Sequence, residues 1–183
     1  MAGTALVMLT PLLAVTALVL RITLGRGVLF RQSRVGRYGE DFDMLKFRTM
    51  RSSRRVAQID PDGPDRRTTH KTAHDPRHTS IGRLLRKTSV DELPQLLHVI
   101  RGEMSLVGPR PELSSVVDRY DLRSHLRHTV KPGLTGEWQI ELRGNGQLLH
   151  ECFDADLSYL RNVTFRNDVR VLVRTVGVLF RGS

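Results

Sequence analysis

The sequence is short of several things at once. Its single cysteine, Cys152, excludes an intramolecular disulfide framework and any multi-cysteine zinc site. Aromatic residues make up only 5% of the chain, too few for the stacking platforms that hold single-stranded nucleic acid. There is no P-loop, no dinucleotide-binding fingerprint, no internal repeat and no low-complexity tract. Negative charge is also scarce: 19 acidic residues stand against 29 basic ones, for a net charge of +10. Such a balance calls for a polyanionic partner, whether nucleic acid, an anionic membrane surface or a phosphorylated substrate. Residues 2 to 20 carry no charge of either sign.

That uncharged run, AGTALVMLTPLLAVTALVL, is about 28 Å long as a helix, close to the hydrocarbon thickness of a bilayer. No basic residue precedes it and no small-residue cleavage site follows, so it does not read as a signal peptide. A single membrane-spanning helix is the ordinary reading. Pro11, preceded by Thr10, interrupts the hydrogen-bond ladder in mid-run and bends it. A re-entrant helix that leaves on the face it entered is therefore the preferred reading, with Arg21 and Arg26 snorkelling to the headgroups. The chain divides into a membrane segment, 1–24, and a domain, 25–183. Across the boundary Arg21, Arg26, Arg31, Arg34 and Arg37 alternate with apolar residues, a density suited to anionic lipid heads. Val28, Leu29 and Phe30 read as a short buried strand or an interfacial wedge.

The most informative stretch is SVDELPQLLHVIRGEMSLVGPRPE, from Ser89 to Glu112. Leu93, Leu96, Leu97 and Ile100 recur at helical spacing, and Gly102 supplies a stop. Pro94 fits only in the first turn. Asp91 and Glu92 then sit at the positive end of a helix, which favours their ionised form. In the plainest reading Ser89 and Glu92 form a capping box. Gly108-Pro109-Arg110-Pro111 makes a stiff corner that limits where the Arg110 guanidinium can point. Two carboxylates, helix N–H groups and an aimed arginine suit a phosphate once a divalent cation sits on the acids.

Elsewhere, Lys46 and Arg48 lie two apart in a strand-like segment and so share a face. Residues 51–77 are polar and proline-bearing and read as a long loop that closes over substrate. His70, His74 and His78 fall four apart, but Pro76 interrupts any helix there, and no metal site is assigned. Ser80–Lys87 is an amphipathic turn or two with Ile81, Leu84 and Leu85 inward and Arg83, Arg86 and Lys87 outward. Leu113, Val116, Val117, Tyr120 and Leu126 suggest a further helix, with His125 and His128 at the surface or partly packed. Glu137 to Leu142 reads as a short strand between the turns Pro132-Gly133 and Gly144-Asn145-Gly146. In the last segment Val169, Leu172, Val173, Val176 and Phe180 form an apolar stripe that packs on the core or lies in lipid.

Taken together, FRQ-S-R-V-G from Phe30 to Gly36, KFRTM from Lys46 to Met50, TSVDELPQLLHVIRGEMSLVGPRPE from Thr88 to Glu112, and KPGLTG with Gln139 closely resemble the motifs of the bacterial sugar transferases. These are the monotopic polyprenyl-phosphate phosphoglycosyl transferases, and the resemblance runs from about Thr10 to Gly182. Asp156, Tyr159, Asp168 and Thr175 also follow the family. The chain departs from it at Glu137 and Leu142, where an apolar residue and a glycine are expected, and in lacking a basic start before Thr10.

The resemblance implies an α-rich α/β fold: a small mixed domain with an N-terminal re-entrant helix and interfacial amphipathic helices. It implies transfer of a phosphosugar from a UDP-sugar to undecaprenyl phosphate, with release of UMP. On that basis Asp91 is the nucleophile, Glu92 with Asp91 holds Mg²⁺, and Lys46, Arg48, Arg86, Arg110 and Gln139 hold substrate. The small polar residue and proline at the hairpin apex are Thr10 and Pro11. The implied setting is the inner membrane with the domain on its cytoplasmic face, no nucleic-acid partner, and room for a homo-oligomer. Two rivals are a membrane-tethered basic module for nucleic acid or anionic lipid, and a catalytically inactive family member.

Overall fold

A computed structural model describes residues 2–51, 77–141 and 153–181. The expected closing loop, His70, His74 and the Gly144-Asn145-Gly146 turn lie outside the described residues. Helix α1 runs unbroken from Ala2 to Leu24 with Pro11 inside it, so the sharp reversal expected at Thr10-Pro11 does not interrupt the helix. Thr10 donates its hydroxyl to the Leu6 carbonyl, 2.9 Å away, a local bond that eases a proline-containing turn. The helix is long and apolar enough to cross a membrane, and little of it is buried in protein. One face of its second half is the exception: Leu20 is fully buried against Phe47 and Leu85, with Leu13, Ala17, Leu24, Val28, Ile81 and Val90 around them. Helix α1 and the chain that follows thus share one core.

Strands β1 (Leu29–Val35) and β2 (Asp41–Phe47) form an antiparallel pair in the register Leu29 to Phe47 and Val35 to Asp41. Leu29 and Phe30 are about half exposed, which favours the wedge reading over the buried one. β2 buries Met44, Leu45 and Phe47. Its free edge is served by His98, whose Nε2 accepts from the Leu45 N–H at 3.0 Å while Nδ1 lies 2.6 Å from Glu103. Helix α2 (Ser80–Lys87) is capped by the Thr79 side chain. Gly82 lies so close to β2's exit that a Cβ there would stand 1.9 Å from the Thr49 carbonyl oxygen. Leu85 faces inward as expected, but Leu84 is exposed and Arg86 is turned partly inward, reversing the assignment of those two side chains.

A 3₁₀ segment, Val90–Gln95, leads into helix α3 (Leu96–Arg101), which Gly102 ends in the left-handed region at φ 80°. Strand β3 (Ser105–Val107) pairs in parallel with β4 (Gly133–Thr135). Between them helix α4 is short (Ser114–Arg119), and a 3₁₀ turn occupies Leu126–Thr129. Val116 and Val117 are buried, but Tyr120 and Leu126 are exposed, so the apolar pattern overstated this helix. His128 is buried, not superficial.

Glu137–Glu141 is helix α5, where a strand was expected. Trp138 and Ile140 alternate with polar residues, which imitates a strand. Arg174 reaches both Glu137 and Glu141, four apart, and that pairing needs helical spacing. Helices α6 (Phe153–Arg161) and α7 (Phe165–Arg181) complete the described chain. α7 packs through Val171 and Leu172 on Val107, Leu106, Ile140 and Tyr159. Phe165, Val169, Val173 and Val176 form a separate, exposed apolar stripe. The result is a small, mixed, helix-rich α/β fold with one apolar N-terminal helix.

Candidate active site

The carboxylate pair sits on the 3₁₀ segment because Ser89 turns the chain there. Ser89 takes a left-handed conformation, φ 57°, and the Glu92 N–H reaches back to its carbonyl at 3.1 Å. The expected capping box does not form: Ser89 makes no side-chain cap hydrogen bond, and the Glu92 carboxylate points away to two cations. Lys46 Nζ from β2 and Arg110 Nη2 from the proline corner both donate to Glu92 Oε1, each at 2.9 Å. Asp91, next in the chain, is also buried and within electrostatic reach of Arg110. Arg110 lies 6.0 Å over the ring of Trp138, at the outer limit of a cation–π contact.

The electrostatics of this cluster are uneven. Burial alone would raise the Glu92 carboxyl, but Arg110 and Lys46 hold it well below the usual carboxylate range. Glu92 raises the Arg110 guanidinium against the cost of its burial. Lys46 should rise with the same partner, yet burial and the charge of Arg110 push it below its ordinary value. The two cations differ in what outweighs what: burial is the largest influence on Lys46, whereas for Arg110 the attraction of Glu92 exceeds the cost of burial and Glu112 and Asp91 add to it. A phosphate entering here would relieve that imbalance.

Both cations use Oε1, and no bond to Glu92 Oε2 is made among the described residues. No group of three or more His, Cys, Asp or Glu side chains converges among the described residues. A cation here would therefore find two protein carboxylates at most, a donor set that fits Mg²⁺, which keeps waters and substrate phosphates in its shell.

The other expected ligands are placed differently. Arg48 donates to the Leu24 carbonyl at the end of α1, since β2 stops at Phe47 and the alternation that paired Arg48 with Lys46 stops with it. Arg86 donates to Thr49 Oγ1 at 3.0 Å. Gln139 is buried and donates to the Leu134 carbonyl at 3.4 Å. Lys46, Glu92 and Arg110 are brought into direct contact; Arg48, Arg86 and Gln139 are not part of that contact.

Behind the corner lies a buried framework that sequence reasoning missed. Arg127 pairs with Asp156 at 2.8 Å, both almost fully buried, and donates to the Arg110 carbonyl. Arg34 donates to the Pro111 carbonyl at 3.0 Å and lies 3.8 Å from Glu112. Together they hold the backbone on both sides of the bond that aims Arg110. A Cβ on Gly133 would stand 2.1 Å from the Gly108 nitrogen, so the corner and β4 meet backbone to backbone. Tyr159 lies 2.9 Å from Asp168 and 3.2 Å from the Val107 carbonyl, and Thr135 bonds Thr175 at 2.7 Å. Tyr159, Asp168 and Thr175 thus buttress the two strands next to the site, and Asp156 supports the proline corner through Arg127. Arg34 had a signal in the FRQ-S-R-V-G block; Arg127, in a polar stretch with no periodicity, had none.

The family model for bacterial sugar transferases matches residues 1–182. An exopolysaccharide production protein, ExoY, of Rhizobium meliloti is 37% identical over 191 residues, covering 100% of this chain and 84% of the relative. A UDP-glucose:undecaprenyl-phosphate glucose-1-phosphate transferase of Caulobacter vibrioides is 40% identical over 173 residues, 91% of this chain and 61% of the relative. An undecaprenyl-phosphate galactose phosphotransferase of Salmonella typhimurium is 39% identical over 165 residues, 86% of this chain but only 34% of the longer relative.

Proposed function

Because the chain belongs to the bacterial sugar transferase family, we propose that it transfers a phosphosugar from a UDP-sugar to undecaprenyl phosphate in exopolysaccharide synthesis. The observation that carries this reading is the Glu92 carboxylate held between Lys46 and Arg110 with Asp91 beside it. Donor and acceptor are both anionic, so attack on phosphorus requires fixed positive charge at the reacting group. Lys46 and Arg110 supply it at the site.

Asp91 is the better nucleophile of the two acids, because the charge of Glu92 is already committed to two cations. An Asp91 carboxylate oxygen attacks the sugar-bearing phosphorus of the donor. The bond from that phosphorus to the bridging oxygen breaks, and UMP leaves with the electron pair. A phosphate oxygen of the lipid then attacks the same phosphorus, the bond to Asp91 breaks, and the carboxylate is restored. Glu92 fixes Lys46 and Arg110 around the diphosphate throughout. Mg²⁺, when held by Asp91 and Glu92, supplies charge neutralisation at the diphosphate. The apolar α1 and the exposed stripe of α7 support a setting for the domain at the headgroup plane, where the acceptor's phosphate lies; the cytoplasmic face of the inner membrane is part of the same proposal.

Purified full-length protein with Mg²⁺, undecaprenyl phosphate and a panel of UDP-sugars should release UMP with at least one donor. Asp91→Asn should abolish that release while leaving the thermal midpoint within a few degrees of wild type. Sustained turnover by the variant would remove the covalent step.

A further inference from the structure

We propose, resting on the reading above, that the apolar cavity beside Glu92 receives the first isoprene unit of the polyprenyl phosphate acceptor. The cavity has a volume of about 190 Å³ and shares the Glu92 wall with the ion cluster. Leu93, Leu106, Leu134, Ile140, Leu172 and Val178 supply its apolar lining.

Its threonines add little polarity. The Thr88 hydroxyl is spent on the Leu84 carbonyl at 2.9 Å, and Thr135 and Thr175 bond each other at 2.7 Å. Gln139 also lines the cavity, but its Nε2 is directed at the Leu134 carbonyl and its Oε1 is shut off from solvent against Gly136. A sugar or a uracil ring placed here would lose hydrogen bonds to water and regain few, at a cost that a hydrocarbon does not meet.

Size agrees with this choice. An apolar cavity of roughly 150 Å³ accepts a benzene ring, so the present one suits a five-carbon branched unit with little to spare. Connectivity agrees as well. In a prenyl phosphate one ester oxygen joins the anionic head to the first isoprene, so head and chain need adjacent cationic and apolar sites. Glu92 bonds Lys46 and Arg110 and also lines the cavity, and so brings a cationic and an apolar site to one residue. Helix α7 forms one cavity wall through Leu172 and Val178 and also carries the exposed apolar stripe.

The test uses the full chain in nanodiscs and two independent readouts. Leu134→Trp and Val178→Trp, which fill the cavity, should raise the KM for undecaprenyl phosphate at least tenfold and move the KM for the UDP-sugar less than twofold. Since either tryptophan can disturb folding, the second readout uses the wild-type chain. A farnesyl phosphate bearing a diazirine on its first isoprene should crosslink to peptides containing Leu134–Ile140 or Leu172–Val178. Crosslinks confined to α1 would overturn the proposal, and so would a rise in donor KM with no change for the acceptor. If the wild type releases no UMP yet crosslinks at these peptides, the transfer reading fails and the lipid subsite stands.

Discussion

Glu92 is the residue on which charge and geometry meet, because its carboxylate neutralises two half-buried cations that have no second anion as close. Glu92→Gln keeps the shape and removes the charge. Leaving Lys46 and Arg110 facing each other should cost about 3 kcal/mol of stability, read as a lower thermal midpoint in detergent, together with loss of UMP release. A second residue-level effect concerns pH. Burial pushes the Asp156 carboxyl up to about 6, against the pull of Arg127. Its contribution is therefore complete below the unfolded value near 4 and is lost as pH rises through about 6. Burial and Arg127 push His128 down to about 4, so its contribution is lost as pH falls from about 6.5 through about 4. The two slopes oppose each other over nearly the same range. Wild type should be almost flat between about pH 4.5 and 6, whereas His128→Gln should lose on the order of 2 kcal/mol over that rise. Thermal midpoints at the two pH values decide it; parallel behaviour of the two proteins would contradict the account.

At the scale of elements, the contact between the proline corner and β4 depends on the absence of a side chain at Gly133. Gly133→Ala should cost about 2–3 kcal/mol, since the atom it would strike is backbone and cannot swing away. Urea midpoints in detergent would register the loss. This contact also shows what was legible beforehand. The dyad, the proline corner and KPG stand out in the sequence because glycine, proline and paired acids have few uses. Their joining does not, because Gly108 and Gly133 are far apart in the chain. Local pattern misled where ion pairs or strand ends intervened. Glu137 to Glu141 alternates like a strand but is wound by Arg174, and Arg48 leaves the face of Lys46 because the strand stops one residue earlier. Arg127 was illegible: nothing in LRHT marks a guanidinium almost wholly buried between Asp156 and the backbone of Arg110.

At the scale of the whole molecule, Leu20 of α1 shares a buried core with Phe47 and Leu85 of the following chain. Removing residues 1–24 would uncover Phe47 and Leu85 and delete one of the acceptors of Arg48. The truncated chain should elute as aggregate on gel filtration without detergent, and its thermal midpoint with detergent should fall by several degrees. A monodisperse, equally stable truncation would show that α1 serves the membrane alone.

The clasp of the Arg48 guanidinium on the Leu24 carbonyl joins the end of α1 to the end of β2, 24 residues on in the chain. It acts as a keel does, fixing the heading of the domain about the axis of α1. One residue inserted before Leu13 would lengthen the free end of the helix and leave the deck untouched. The same residue inserted between Leu20 and Leu24 would swing everything above it by about 100° about the helix axis, turning the two acids away from their present heading relative to the first half of α1.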